Sequence, residues 1–333
     1  MIGIIGNGSW ATALAKMLTD NGHCIHWWMR NESSVAYIEK KWHNPQYLTS
    51  VSFKPGSLLP TADIELLFRN CETVIICVPS AYLTPVLESL PPSSFEGKNI
   101  ISAVKGIIPG AYVLLNDYLK GKFNISDEQY VAITGPCHAE EVAQERLSYL
   151  TFSGLNDELT RQAAGEFRTD YISTTVNHDL WGAQYAAVLK NIYAVGAGIA
   201  HGLGYGDNFL SVYITNCYRE MYRFLQVQFD QVHPSDEVPD FHTSAYLGDL
   251  LVTCYSPHSR NRSFGSLIGK GYSVMSATTE MNMVAEGYYA VKGMKKIAEG
   301  LNIELPIAGH IHEVLWSGAL PDAIFAEIEK MLS

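Results

Sequence analysis

Lys190 and Asn191 stand in the middle of an otherwise apolar run, Ala186 to Ala200. An ammonium on such a helix is either carried to solvent on its long stem or buried. Burial lowers its pKa toward the value that a general acid–base catalyst needs near neutral pH. The apolar residues on both sides favour burial. A second constellation follows in Gly248-Asp249-Leu250-Leu251-Val252-Thr253-Cys254 and Ser259-Arg260-Asn261-Arg262. Asp249 and Thr253 are four apart, so a helix places them on one face. A carboxylate there would pair with Lys190 and orient it. Arg260 offers a planar fork of donors suited to a phosphate, although Ser259–Arg262 taken alone reads only as a polar loop.

A third set lies at the start of the chain. Gly6-Asn7-Gly8-Ser9-Trp10-Ala11 has the spacing GxGxxA and sits between an apolar run, Ile2–Ile5, and a stretch with helical periodicity, Ser9 to Asp20. The first glycine permits a tight turn, the second lets a pyrophosphate approach the backbone, and the small Ala11 allows close packing of helix on strand. Free N–H groups at the helix N-terminus then bind the phosphates. In this context the motif reads as dinucleotide binding. The second strand ends in Trp28-Met29-Arg30-Asn31, without the acidic residue that usually meets the ribose hydroxyls. Arg30 is suited to a 2′-phosphate or to stacking on adenine, or is a solvated arginine at a strand end. The preference between NAD and NADP stays open.

These residues need elements to position them. Apolar runs at Cys24–Trp28, Val74–Val78, Ile100–Val104 and Val131–Thr134 alternate with helical stretches near Tyr82–Leu90 and Tyr112–Leu119. That alternation predicts an α/β unit with a doubly wound parallel sheet covered on both faces. Ligands bind outside the carboxyl ends of such strands, where Pro79-Ser80, Lys105-Gly106 and Gly135-Pro136-Cys137-His138 fall. A lysine at such an end suits an oxyanion or a carbonyl oxygen. Strand-like runs stop near Asn177, and long helical stretches follow. The reading is therefore two domains, 1–176 for the dinucleotide and an all-helical 177–333 for the substrate. The segment Gln231–Phe241, with two prolines and three acidic residues, reads as a surface loop.

Composition narrows the class. The 333 residues are 47% hydrophobic and 17% charged, with a formal net charge of −11, which argues against a broad nucleic-acid surface. No stretch approaches the roughly 18 apolar residues of a membrane span, and the start has no signal-peptide pattern. Six scattered cysteines without a CxxC pair fit a reducing, cytoplasmic compartment, and the eleven histidines show no metal-ligand spacing.

The motifs together resemble the bacterial type of NAD(P)-dependent glycerol-3-phosphate dehydrogenase. The resemblance covers nearly the whole chain and rests on Gly6–Ala13, Lys105-Gly106, Gly135–Glu141, Leu189–Ile199, Leu247–Cys254, Ser259–Gly265 and Val284–Gly287. It implies a Rossmann domain followed by a helical domain, NAD or NADP as cofactor, and interconversion of sn-glycerol 3-phosphate and dihydroxyacetone phosphate in support of phospholipid synthesis. It also implies a homodimer. Carried over residue by residue, Gly6, Gly8, Ser9, Trp10, Arg30, Lys105, Ala139, Arg260, Val284 and Glu286 would line the cofactor. Lys105, Gly135, Cys137, Lys190, Asn191, Asp249, Thr253, Ser259, Arg260 and Asn261 would serve the phosphorylated substrate. Lys190 matches the proton donor and acceptor, with Lys105 and Asp249 beside it in the catalytic set. Three departures stand out: Cys137 where Ser or Thr is usual, Asn216 where an arginine is common, and the longer 231–241 loop. Other two-domain dehydrogenases, of the 3-hydroxyacid, 6-phosphogluconate or ketopantoate type, share the Rossmann half but lack the stretches at 247–254 and 259–265. A dinucleotide-binding sensor without turnover would have no need of the lysine in the 186–200 helix.

Overall fold

The structure, a computed structural model, describes residues 1–232, 238–281 and 284–333. The chain divides into two compact units, Met1–Val104 with Leu115–Leu180, and Lys105–Leu114 with Trp181–Ser333. The first carries one eight-stranded sheet. Its strands are β1 (Ile2–Ile5), β2 (Ile25–Trp28), β3 (Leu58–Thr61), β4 (Thr73–Ile76), β5 (Asn99–Ser102), β6 (Tyr130–Thr134), β7 (Ser148–Gly154) and β8 (Ile172–Asn177), in spatial order β3-β2-β1-β4-β5-β6-β7-β8. The first six are parallel. β7 runs antiparallel to β6, and β8 runs parallel to β7.

The core strands β1, β4, β5 and β6 are short apolar runs buried almost throughout, as a sheet covered on both faces requires. β3 is an edge strand paired only with β2, and it tolerates Pro60 there. The sequence reading anticipates β1, β2, β4, β5 and β6; β3, β7 and β8 are additional. β7 and β8 hide in the sequence because their buried positions include Ser148, Thr151, Ser153 and Thr174. Their side chains meet partly through hydroxyls, as in the 3.1 Å contact between Thr151 Oγ1 and Thr175 Oγ1.

β1 lies between β2 and β4. The chain winds one way from β1 to β3 and then crosses back to β4, which makes the carboxyl ends of β1 and β4 the switch point of the sheet. Gly6 leaves β1 with φ +114°, and a β-carbon there would collide with the carbonyl oxygen of Cys77 just beyond β4. Only glycine fits both the angle and the space.

The second unit is helical. Its centre is the helix Leu180–Leu203, in which every residue from Gly182 to Ala200 is buried. A helix buried all round demands a jacket, supplied by Asp207–Val232, Asp249–Tyr255, Arg260–Gly269, Glu286–Gly300 and Pro306–Trp316. The crossing with Arg260–Gly269 is at backbone contact. A β-carbon at Gly198 would strike the carbonyl of Arg262, and one at Gly265 would strike that of Val195. The segment Lys105–Leu114 leaves the end of β5 and gives Ile107 and Leu114 to the core of this helical unit.

Candidate active site

The glycine loop begins at the end of β1. Gly8 is the N-cap of the helix Ser9–Asp20 and provides no side-chain cap, and the positive end of a helix dipole favours an anion there. Two buried side chains brace the loop. Trp27 Nε1 donates to the Gly6 carbonyl at 2.6 Å. Asn44 Nδ2 donates to the Asn7 carbonyl at 2.9 Å and to Thr12 Oγ1 at 2.8 Å. Sequence reasoning passed over Asn44; the Asn44-Pro45 pair signals a turn, but the contact to Asn7 spans 37 positions. Ser9 is buried, Trp10 half-buried, and Arg30 exposed just beyond β2. After β6 come Gly135 at φ +107°, the half-buried Cys137 and the buried Ala139, which opens a short helix. The residues Gly6, Gly8, Ser9, Trp10, Arg30, Gly135, Cys137 and Ala139 all belong to the first unit. This cradle, with no room for a β-carbon at Gly6 and an uncapped helix start behind it, fits a dinucleotide pyrophosphate.

The remaining candidates belong to the second unit, and several of them converge. Lys190 Nζ donates to Asp249 Oδ1 at 2.5 Å. Lys105 Nζ lies 3.5 Å from Asp249 Oδ2. One carboxylate thus serves two ammonium groups. The side chains of Lys190 and Asp249 are 7% and 2% exposed and that of Lys105 is 16% exposed, so the pair is sealed and Lys105 is its more open member. Burial drives the Lys190 pKa down; Asp249 opposes this and the nearby Lys105 charge adds to it, with the value lowered to about 8. Thr253 Oγ1 donates to the Asp249 backbone carbonyl at 2.5 Å, one turn back along the helix Asp249–Tyr255.

Behind the lysines runs a relay of amides. The Gly287 N–H donates to Asn261 Oδ1 at 2.9 Å, Asn261 Nδ2 donates to Asn191 Oδ1 at 2.9 Å, and Asn191 Nδ2 donates to the Lys105 carbonyl at 3.0 Å. The close crossing of these two helices at Gly198 and Gly265 accompanies the Asn261–Asn191 bond. Asn191 and Asn261 therefore each spend one side-chain N–H and the Oδ1 oxygen on the relay that ends at the Lys105 carbonyl. Ser259 Oγ accepts the Arg262 N–H at 3.3 Å and is the N-cap of the helix Arg260–Gly269. Arg260 occupies the first position of that helix, half-buried. Glu286 opens the helix Glu286–Gly300, and Val284, half-buried, precedes it. Asn216 is buried and donates to the Val212 carbonyl at 2.9 Å and the Ser333 carbonyl at 3.2 Å. Of the 231–241 loop, residues 233–237 lie outside the described residues.

A glycine loop at a sheet's switch point and a buried lysine paired with a carboxylate are features that a nicotinamide-dependent dehydrogenase requires. The particular kind follows from comparison. The family description "NAD-dependent glycerol-3-phosphate dehydrogenase N-terminus" matches residues 1–160 and "NAD-dependent glycerol-3-phosphate dehydrogenase C-terminus" matches residues 179–326. The glycerol-3-phosphate dehydrogenase [NAD(P)+] of Agathobacter rectalis is 32% identical over 95% of this chain and 91% of its own. That of Oceanobacillus iheyensis is 32% identical over 98% and 93%. The crystal structure of glycerol-3-phosphate dehydrogenase from Coxiella burnetii superposes with a TM-score of 0.90 at 26% identity, covering 98% of each chain. A ketopantoate reductase from Ralstonia eutropha shares the fold at a TM-score of 0.60 and 14% identity. The chain belongs to the NAD-dependent glycerol-3-phosphate dehydrogenase family.

Proposed function

We propose that Lys190, Lys105 and Asp249 carry the interconversion of dihydroxyacetone phosphate and sn-glycerol 3-phosphate, with NAD or NADP held by the glycine loop. The observation behind this assignment is the sealed Lys190–Asp249 pair with Lys105 on the carboxylate's second oxygen. When bound, the nicotinamide supplies the hydride in reduction and accepts it in oxidation. As the ketone carbon is reduced, negative charge grows on its oxygen. Lys105 and Lys190 stabilise that charge, and Lys190 delivers the proton. Asp249 orients Lys190 and keeps two cations together in a buried site. In oxidation Lys190, as the neutral amine, takes the hydroxyl proton.

Arg260 anchors the phosphate, a group remote from the reacting carbon, and so contributes positioning energy. Ser259 caps the start of the Arg260 helix, and Asn261 and Asn191 form the relay that holds the Lys105 backbone. Gly135 and Cys137 are assigned to the substrate as well; the Cys137 thiol is a weaker hydrogen-bonding group than a serine or threonine hydroxyl. Trp10, Arg30, Ala139, Val284 and Glu286 serve the cofactor, and Arg30 governs the choice between its two forms. The enzyme works in the cytoplasm as a homodimer and feeds phospholipid synthesis. None of the six cysteines is joined in a disulfide, and among the described residues no helix is long and apolar enough to cross a membrane.

The test is to mix the purified protein with dihydroxyacetone phosphate and follow loss of NADH or NADPH absorbance separately. Rapid oxidation of either is the expected result, and the ratio of the two kcat/KM values reports on Arg30. Dinucleotide binding without turnover of either would sink the assignment.

A further inference from the structure

Asn44 follows the helix Glu32–Lys41 by three residues and is fully buried. Its Oδ1 accepts the N–H groups of Gln46 and Tyr47 at 2.9 and 3.0 Å. That is an Asx turn, which an acceptor oxygen alone can build. The turn leaves the amide's NH2 group unexplained, yet both its hydrogens are spent on the glycine loop and its helix. One reaches the Asn7 carbonyl and the other reaches Thr12 Oγ1, whose own hydroxyl donates to the Gly8 carbonyl at 3.0 Å. A buried asparagine with all four hydrogen-bonding positions filled is fixed in orientation.

The consequence lies in peptide geometry. In a trans peptide the C=O and the following N–H point in opposite directions. Pinning the Asn7 carbonyl inward to Asn44 therefore turns the Gly8 N–H outward. Trp27 does the same for the preceding peptide, since its bond to the Gly6 carbonyl turns the Asn7 N–H away from the tryptophan. Two successive outward N–H groups at the start of a helix form an anion-binding concavity.

We propose that Asn44 is a positioning residue for the cofactor, aiming the Gly8 N–H at the pyrophosphate by anchoring the carbonyl of the same peptide. The proposal rests on the reading of Gly6–Ala11 as the dinucleotide loop. Asn44 touches neither cofactor nor substrate and acts through Asn7, Gly8 and Thr12. Without it the loop keeps its glycines but loses the torque that holds its donors in one direction.

The experiment is a fluorescence titration with NADH and NADPH, combined with steady-state kinetics, on the parent and on Asn44→Ala. Loss of the brace is expected to raise the Kd of the preferred dinucleotide about tenfold, the scale of one hydrogen bond to a charged group. KM for the dinucleotide rises in parallel, while kcat at saturation falls no more than about twofold and KM for dihydroxyacetone phosphate stays put. A residue that only stabilised the turn would lower the melting temperature and leave Kd of the folded protein alone; that result overturns the proposal. If Asn44→Ala does not fold, the near-isosteric Thr12→Val removes one of the two contacts and is expected to raise Kd about threefold, and an unmoved Kd there is equally decisive against it. A parent that binds neither dinucleotide overturns the loop reading and the proposal with it, whereas normal parent binding with unmoved variants overturns the Asn44 role alone.

Discussion

Two helices of this protein bury a lysine, and the two lysines end in opposite states. Lys16, on the helix Ser9–Asp20, is 11% exposed and meets Asp20 at 2.6 Å and Glu145 at 2.8 Å. Its Nζ also lies 5.0 Å from the centre of the Tyr171 ring, and the Tyr171 hydroxyl donates to Asp20. Burial lowers its pKa, but the hydrogen bonds to Asp20 and Glu145 outweigh burial and hold the ammonium well above its ordinary range. Lys190 has one carboxylate, and that carboxylate is shared with Lys105. There burial and the second cation win, and the value falls to about 8. The difference is one of stoichiometry. Two carboxylates for one ammonium make a staple that never titrates in the working range; one carboxylate for two makes an acid–base group.

Lys190 carries the steepest expected loss of activity. Lys190→Ala is expected to lower kcat by roughly 10²–10⁴-fold, the usual contribution of a positioned acid–base group, with dinucleotide Kd unmoved by titration. Activity within about threefold of the parent would remove Lys190 from the role. Arg260→Ala tests a cation outside the pair, and its loss should raise KM for the phosphorylated substrate by about 10–100-fold; an unchanged KM in steady-state kinetics places the phosphate elsewhere.

The pH profile tests the stoichiometry directly. Reduction needs charged Lys190 as proton donor, so its rate should fall as pH rises through about 8. Oxidation needs the neutral amine and should rise over the same range. Asp249→Asn removes the charge that favours the ammonium, so the midpoint of whatever activity remains should move down by about one pH unit or more, while Lys105→Ala should move it up. Shifts in the reverse directions would defeat the electrostatic account. The smallest effect is expected at Lys16. Its carboxylate partners Asp20 and Glu145 are 40% and 61% exposed, so Lys16→Met should cost about 1 kcal/mol and a few degrees of melting temperature. A large fall in kcat measured alongside would refute its assignment as a staple.

What was legible in the sequence follows from how far each signal reaches. The glycine loop is a local pattern between a strand and a helix, and the charge of Lys190 in an apolar run is visible without a partner. The end of β5 marks Lys105 by position. The pairing of Lys190 with Asp249 joins residues 59 apart and the Asn261–Asn191 bond joins residues 70 apart; residue type suggested the first, and nothing local suggested the second. Ser259 reads in the sequence as a substrate residue in a polar loop, and in the structure its Oγ caps the helix Arg260–Gly269. β7 and β8 escaped because hydroxyl side chains fill part of their buried faces, and because strand direction is decided by the neighbour in the sheet.

The excursion at Lys105–Leu114 has a consequence for making the protein. Ile107 and Leu114 belong to the helical unit's core, so no single cut yields both units intact. A fragment beginning at Trp181 lacks part of its own interior. On the ribosome the same segment emerges ahead of the helices it will join. At about 5–20 residues per second its apolar side chains wait roughly ten to forty seconds for the rest of that core, which extends to Ile328, a window in which a chaperone or a neighbouring nascent chain competes for them.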